Sequence, residues 1–128
     1  MNLLFRLGKN DENFSSREEA IDFFEDVLPN RDKNYFFHTK IMKQLTRGDI
    51  IYFSYDGFII AKAIFQEEIK IDKNRDEKFI NGHKVENIQM INSSSKLNSK
   101  IIKGQDMIYI KDKTIQDEID RVLEGAKK

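Results

Sequence analysis

The stretch LTRGDIIYFSYDGFIIAKAIF, residues 45–65, decides the fold. Asp56-Gly57 at its centre is a two-residue hairpin signal, because a type I′ turn needs a positive φ at both positions. The apolar residues 50–53 before it and 58–65 after it predict two antiparallel strands. The return strand is apolar on both faces except at Lys62, so we expect other elements to cover both faces.

Two pairs of residues around this hairpin have local roles that physical chemistry predicts. Gly48 stands where a short helix would end in a left-handed residue, and Asp49 is able to accept hydrogen bonds from backbone amides of the turn. Ala61 and Ala63 in the return strand are small, so another element is able to approach that face closely.

Upstream, the sequence predicts one strand and one helix. Leucine and phenylalanine at alternate positions predict a first strand over residues 3–7. Ser16 and Glu19 have the spacing of a capping box, and Pro29 disfavours helical geometry before it, so we expect a helix over residues 16–28. Its apolar stripe consists of Ala20, Phe23, Phe24, Val27 and Leu28.

Between this helix and the hairpin, residues 35–37 predict a short extended piece, and Thr39 is a candidate cap for a second short helix. Downstream, residues 66–78 are charged and are expected to be irregular. Asn81-Gly82 predicts a second hairpin turn between residues 79–80 and a strand over 84–91. In that strand Val85 and Ile88 are out of phase, which indicates a bulge.

The C-terminal part predicts a last strand over residues 107–110 and a helix from Thr114 to Gly125, with Ile115, Ile119, Val122 and Leu123 on one face. Strands cluster centrally, and helices do not alternate with them. The predicted fold class is therefore α+β: a small, curved, mostly antiparallel β-barrel flanked by helices, in one domain of residues 1–128.

Composition narrows the function classes. The chain has 128 residues, of which 39% are hydrophobic, which suits one folded domain. The 22 basic and 22 acidic residues cancel, so binding of nucleic acid by bulk charge is excluded and a local patch would be needed. There is no cysteine, no apolar run of the roughly 20 residues that a membrane span needs and no signal-peptide pattern. We expect a cytoplasmic protein without a membrane partner.

The segment around Gly48-Asp49 resembles the central hairpin of the PUA-like superfamily, which includes PUA, ASCH, EVE and YTH domains. The shared pattern is a helix, a Gly-Asp pair, a strand that ends in aromatic residues, and a strand with small residues, here Ala61 and Ala63. The resemblance implies a module that binds RNA, DNA or a nucleotide. It implies recognition of a modified base or nucleotide in a pocket beside the hairpin.

Candidate binding residues follow from the chemistry of such a ligand, because aromatic rings stack on unpaired bases while Lys and Arg hold phosphates. The predicted stacking residues are Tyr35, Phe37, His38, Tyr52 and Tyr55. The predicted charged residues are Lys40, Lys43, Arg47 and Lys62. Thr39 at a helix start would add free backbone amides. With two histidines and no cysteine in the chain, we expect no metal site; we also expect no cofactor and assign no catalytic residue.

Two other functions stay open at this point. The resemblance to ASCH domains allows a small amidohydrolase, with Thr39, Lys40 or Lys62, and Glu67 as nominees. The acidic helix over residues 16–28 allows docking of a basic protein partner. A loose nuclease pattern, Asp56 with Glu68 and Lys70, is better explained by the hairpin turn.

Overall fold

Six strands form one sheet in the computed structural model, which describes residues 2–7, 16–27, 35–38, 45–70, 81–93, 95–98, 100–102 and 107–126. The strands are β1 (Leu3–Leu7), β2 (Tyr35–His38), β3 (Ile50–Tyr55), β4 (Phe58–Lys70), β5 (Asn81–Met90) and β6 (Met107–Tyr109). Helix α1 (Arg17–Asp22) continues into a π-helical turn (Phe23–Val27), and α2 (Lys113–Ala126) follows β6.

The sheet has the order β2-β5-β4-β3-β1-β6. Among the described residues only β1 and β3 pair in parallel, and the other neighbours are antiparallel. The predicted α+β class with a mostly antiparallel sheet is therefore confirmed. No pairing in these ranges joins β2 to β6, so closure into a barrel stays a prediction.

The central hairpin forms as expected. Asp56 and Gly57 have φ values of 48° and 89°, the positive values that a type I′ turn requires. Gly48 is left-handed with a φ of 98°. Asp49 Oδ2 accepts hydrogen bonds from the backbone amide of Thr46 at 2.9 Å and from its hydroxyl at 3.1 Å. These contacts close the turn that leads into β3.

Helices form in both of the segments described here for which the sequence predicts one, after β1 and after β6. Ser16 caps α1, since its Oγ accepts a hydrogen bond from the amide of Glu19 at 3.2 Å. The expected helix over 16–28 changes into the π-helical turn at Phe23, and its end at Pro29 lies outside the described residues, as does the short helix expected after Thr39. Among the helices described here, none is long and apolar enough to cross a bilayer.

Two sequence-based predictions about β4 and β5 are wrong. Strand β4 does not end at Phe65 but continues to Lys70, and Asn81-Gly82 is not a turn but the start of β5, opposite Lys70 and Ile69. Pairing between the two strands supplies backbone hydrogen bonds that override the local turn preference of Asn-Gly. The residues that join β4 to β5, including 79–80 of the expected hairpin, lie outside the described ranges.

The bulge expected in β5 is confirmed by the register. Ile64 lies opposite Glu86, whereas Lys62, two residues back, lies opposite Gln89, three residues on. The extra residue is accommodated by Asn87, whose φ is 51°.

The two faces of the sheet carry separate apolar clusters. The α1-side cluster includes Ala20 and Phe24, and the α2-side cluster includes Ile119 and Val122. In β1, Leu3, Phe5 and Leu7 belong to the first and Leu4 to the second, as the alternation of a strand requires. The expected coverage of both faces is therefore present.

Candidate functional site

A surface cavity of about 390 Å³ lies where β3, β4 and β5 run side by side. This volume is within the range of about 300–1,000 Å³ that small-ligand pockets occupy. The described residues that line the cavity are Ile50, Lys62, Ala63, Ile64, Asn87, Ile88 and Gln89. Four of these side chains are apolar and three are polar, an ammonium and two amides, and polar atoms make up slightly more than half of the exposed lining surface.

The bulge in β5 shapes one wall of this cavity. Asn87 and Ile88 both lie opposite Ala63, between the pairs Ile64–Glu86 and Lys62–Gln89, so β5 has one residue more than β4 here. A bulge bends its strand and redirects its side chains, and bulges are frequent beside functional sites. It therefore brings an amide and an apolar side chain to the cavity that a regular strand would place elsewhere.

Lys62 is the predicted site residue that the structure places in the cavity. It is half-buried and lies between Tyr52 on β3 and Gln89 on β5 in the sheet register. It is the only ionisable side chain among the described lining residues. An ammonium beside isoleucine side chains attracts an anionic or hydrogen-bond-accepting group of a ligand.

Arg47 lies beside the same strand, further along β4. It is exposed, and its Nη2 donates a hydrogen bond to Gln66 Oε1 at 2.9 Å. Its segment is fixed to β4 because the amide of Gly48 donates to the carbonyl of Phe65 at 2.9 Å. Ile64 of the cavity is two residues from Gln66, about 7 Å along a strand. Arg47 is thus an exposed cation near one end of the cavity.

Asp49 stabilises this segment. Partial burial opposes its ionisation, but the hydrogen bonds that it accepts, two of them from Thr46, leave the pKa of Asp49 below its ordinary value. The carboxylate therefore stays ionised at neutral pH and keeps the turn at Gly48 closed.

The aromatic residues predicted for stacking are not at the cavity surface where the structure describes them. Tyr55 is 1% exposed within the α1-side cluster, and Tyr52 is 4% exposed beneath α2. Burial raises the pKa of Tyr52, opposed by a hydrogen bond with Gln116. A ring enclosed in this way has no face open to a base, so neither ring enters the site that we propose.

The remaining nominated residues lie on β2 or outside the described ranges. Tyr35, Phe37 and His38 belong to β2, which pairs with β5 away from the cavity wall, opposite Lys84, Gly82 and Asn81. Thr39, Lys40 and Lys43 lie outside the described residues.

Sequence reasoning missed Asn87 and Gln89 as lining residues. The mismatch between Val85 and Ile88 indicated the bulge, but only the pairing of Lys62 with Gln89 places the amides beside the ammonium. Their positions do not follow from sequence, because the sequence predicts that the strand over 84–91 pairs with residues 79–80 and predicts no pairing between it and the strand that contains Lys62.

A second group of side chains that the sequence did not reveal lies at the hairpin tip, at the other end of β4. Arg17 Cζ is 4.5 Å and Lys96 Nζ is 5.9 Å from the centroid of the Phe58 ring. Arg17 Nη2 also donates to the carbonyl of Ser93 at 3.1 Å. These contacts connect α1, the hairpin and the loop after β5, which is a structural role.

The described residues of the two catalytic alternatives lie far apart, and Thr39 and Lys40 lie outside the described ranges. Glu67 is five residues from Lys62 on β4, about 16 Å along the strand, and Phe58, next to the turn of Asp56, is about 33 Å from Glu68. Within the described residues no group of three histidine, cysteine or carboxylate side chains is able to hold a metal ion.

Comparison with family models, with curated proteins and with solved structures finds no match to this chain.

Proposed function

We propose that this chain is a nucleic-acid-binding module in which the Lys62 cavity receives an unpaired base or nucleotide. The observation that carries the proposal is a cavity lined by both apolar and polar side chains, whose one ionisable described lining group is a cation. We also propose that the sheet curves into the closed barrel of the PUA-like superfamily.

The chemistry of the cavity suits a base better than a purely ionic ligand. Ile50, Ile64 and Ile88 provide apolar contacts for a flat heterocycle, while Lys62 and the amides of Asn87 and Gln89 provide hydrogen bonds to its edge. Proteins that recognise single-stranded RNA combine such edge contacts with contacts to the base plane.

Arg47 supports the proposal by its charge. It is exposed and its described polar contact is with the neutral amide of Gln66, so its charge is available to a phosphate. A base in the cavity and a phosphate at Arg47 would use two separate groups, the cavity side chains and an arginine of the turn before β3 that contacts Gln66, which is about 7 Å along β4 from Ile64.

The hydrolase alternative receives less support from the cavity. The described lining residues include Lys62 but no carboxylate and no hydroxyl group, so the partners that this alternative assigns to the lysine are not among them. The docking alternative rests on Glu18, Glu19 and Glu25, which are exposed on the helix within residues 16–28. A basic protein partner there stays a prediction that is compatible with a nucleic-acid site elsewhere.

The test is binding of fluorescently labelled single-stranded RNA and DNA, followed by anisotropy over a series of salt concentrations. We expect the affinity to fall steeply as salt rises, because phosphate contacts release counterions. Arg47→Gln should weaken binding of every sequence and reduce the salt slope by about one. Lys62→Met should weaken binding about tenfold, with less effect on the slope, because Lys62 contacts the base.

Lys113→Met is the matched control, since Lys113 is exposed at the start of α2 and outside the cavity lining. Its affinity should equal that of the unmodified chain within about twofold. Absence of binding to any oligonucleotide, or affinity that does not change with salt, would contradict the proposed function.

A further inference from the structure

The polar side chains that line the cavity, Lys62, Asn87 and Gln89, have more hydrogen-bond donors than acceptors. Lys62 and Gln89 lie directly opposite each other on β4 and β5, so their Cβ atoms are about 4.5–5.5 Å apart. The ammonium has three donors and no acceptor, and the amide has two donors and one acceptor oxygen. Asn87, exposed in the bulge, adds another amide.

No acceptor-only side chain offsets these donors within the described lining of the cavity. Glu86 is the nearest carboxylate along β5, but the bulge separates it from Gln89, and it lies opposite Ile64 rather than Lys62. A ligand group that meets the Lys62 ammonium must therefore accept hydrogen bonds, and the exposed amide of Gln89 is able to donate to the same acceptor. An amino group placed there would meet the ammonium, which has no acceptor to offer it, and would lose the hydrogen bond that an oxo group makes.

The bases differ in this respect. Guanine presents the acceptors O6 and N7, and uracil or thymine presents the acceptor O4, whereas adenine and cytosine present exocyclic amino groups at the corresponding positions. We propose that the cavity discriminates in favour of oxo-bearing bases, with Lys62 and Gln89 as the specificity-determining pair. This inference rests on the proposed function, because it assumes that a base enters the cavity.

The sharpest test compares oligouridylate with oligocytidylate, because their pyrimidines differ in the oxo or amino group at C4 and in the protonation of N3. We expect the unmodified chain to bind oligouridylate about tenfold more tightly. Gln89→Glu replaces the amide donors with acceptor oxygens, which also neutralise Lys62. That variant should lose affinity for oligouridylate and bring the ratio of the two affinities to about one.

Asn92→Asp is the matched control, because it makes the same amide-to-carboxylate change at an exposed residue just beyond β5. It should retain the preference for oligouridylate. Gln89→Leu, which removes the donors without adding charge, serves as the second variant if Gln89→Glu fails to fold, and it should also lose the preference.

The outcomes separate this inference from the proposed function. Equal binding of both oligonucleotides by the unmodified chain, or a preference that survives both Gln89 variants, would overturn the inference and leave the proposed function standing. Absence of binding to these two and to purine oligonucleotides of RNA and DNA, with an intact fold by circular dichroism, would overturn both.

Discussion

Glu118 on α2 is the only charged side chain that is buried in the described part of the chain, at 5% exposure. Its carboxylate receives two hydrogen bonds from Arg121, from Nε at 2.6 Å and from Nη2 at 2.9 Å. It also accepts a hydrogen bond from the backbone amide of Asn98. Arg121 in turn donates to the carbonyl of Lys96 at 3.2 Å. These contacts fix the loop after β5 to α2.

Glu118→Gln should lower the free energy of unfolding by about 1–3 kcal/mol at neutral pH, because it removes the charge and replaces one of the two acceptor oxygens with an NH2 donor, so that at least one of the donors of Arg121 and Asn98 loses its partner. The hydrogen bonds from Arg121 are the main reason that the pKa of Glu118 lies below its ordinary value of 4.5, although burial opposes them. A lowered pKa in the folded state stabilises the fold above about pH 4.5, and this contribution disappears as pH falls through the folded-state pKa.

Urea denaturation as a function of pH measures this effect. The difference in free energy of unfolding between the unmodified chain and Glu118→Gln should be constant near neutral pH and should shrink below about pH 4.5. Glu124→Gln, at an exposed position of the same helix, should show no such difference. If the full difference in free energy of unfolding between Glu118→Gln and the unmodified chain persists at low pH, the ionised carboxylate of Glu118 is not its cause.

Single residues differ in how far the sequence predicts their contacts. The partners of Ser16 and Asp49 lie three residues away along the chain, so cap and turn patterns were sufficient to predict them. One partner of Glu118 is the amide of Asn98, 20 residues upstream. In sequence, Glu118 and Arg121 have the ordinary spacing of an exposed helical ion pair, which gives no signal of burial.

At the scale of elements, local signals predicted the hairpin of β3 and β4 correctly but failed at the end of β4. Residues 66–68 are polar and exposed or half-buried, so their pattern does not resemble a strand that contributes to a core. They are nevertheless extended because β5 pairs with them as far as Asn81. Pairing between distant residues, which sequence patterns do not encode directly, determines that length.

The hairpin gives a prediction that separates backbone strain from steric overlap. Gly48 and Gly57 both have positive φ values, so alanine at either position costs about 1–3 kcal/mol of stability through strain. A Cβ at Gly48 would meet nothing within 4 Å, whereas one at Gly57 would lie 2.7 Å from Cγ of Lys96. Gly57→Ala should therefore be the more destabilising of the two substitutions.

The double variant Gly57→Ala with Lys96→Ala tests the cause. Relative to Lys96→Ala alone, the glycine substitution should then cost about as much as Gly48→Ala, because the flexible side chain that overlapped has been removed. Thermal unfolding followed by circular dichroism measures all four variants. If Gly48→Ala and Gly57→Ala destabilise equally, Lys96 moves aside without cost and the overlap has no energetic consequence.

At the scale of the whole molecule, the apolar return strand correctly indicated a sheet covered on both faces. The site was harder to predict, because its lining comes from three strands and depends on one bulge. Lys62 was nominated because it interrupts an apolar strand, whereas Gln89 became visible only through its register opposite Lys62. The residue type alone predicts Lys62 as a site residue, whereas the positions of the Asn87 and Gln89 amides follow only from how the strands pair.

The two-sided core predicts that substitutions on opposite faces act independently. Phe24, 2% exposed, packs on Phe53 with ring centroids 4.3 Å apart in the α1-side cluster, and Ile119 is fully buried in the α2-side cluster. Phe24 and Ile119 lie in layers that pack on opposite faces of the sheet. Each layer is about 10 Å from the sheet, so the sheet keeps the two side chains out of contact. Energetic coupling at such distances is usually below about 0.5 kcal/mol.

Ile119→Val should lower the free energy of unfolding by about 0.5–1.5 kcal/mol, and Phe24→Leu by a comparable amount. In urea denaturation, the loss in the double variant should equal the sum of the two single losses within about 0.5 kcal/mol. Phe24→Leu with Phe53→Leu is the contrasting pair, because these two rings are in contact within one cluster and should couple. Strong coupling between Phe24 and Ile119 would mean that the sheet transmits strain from face to face.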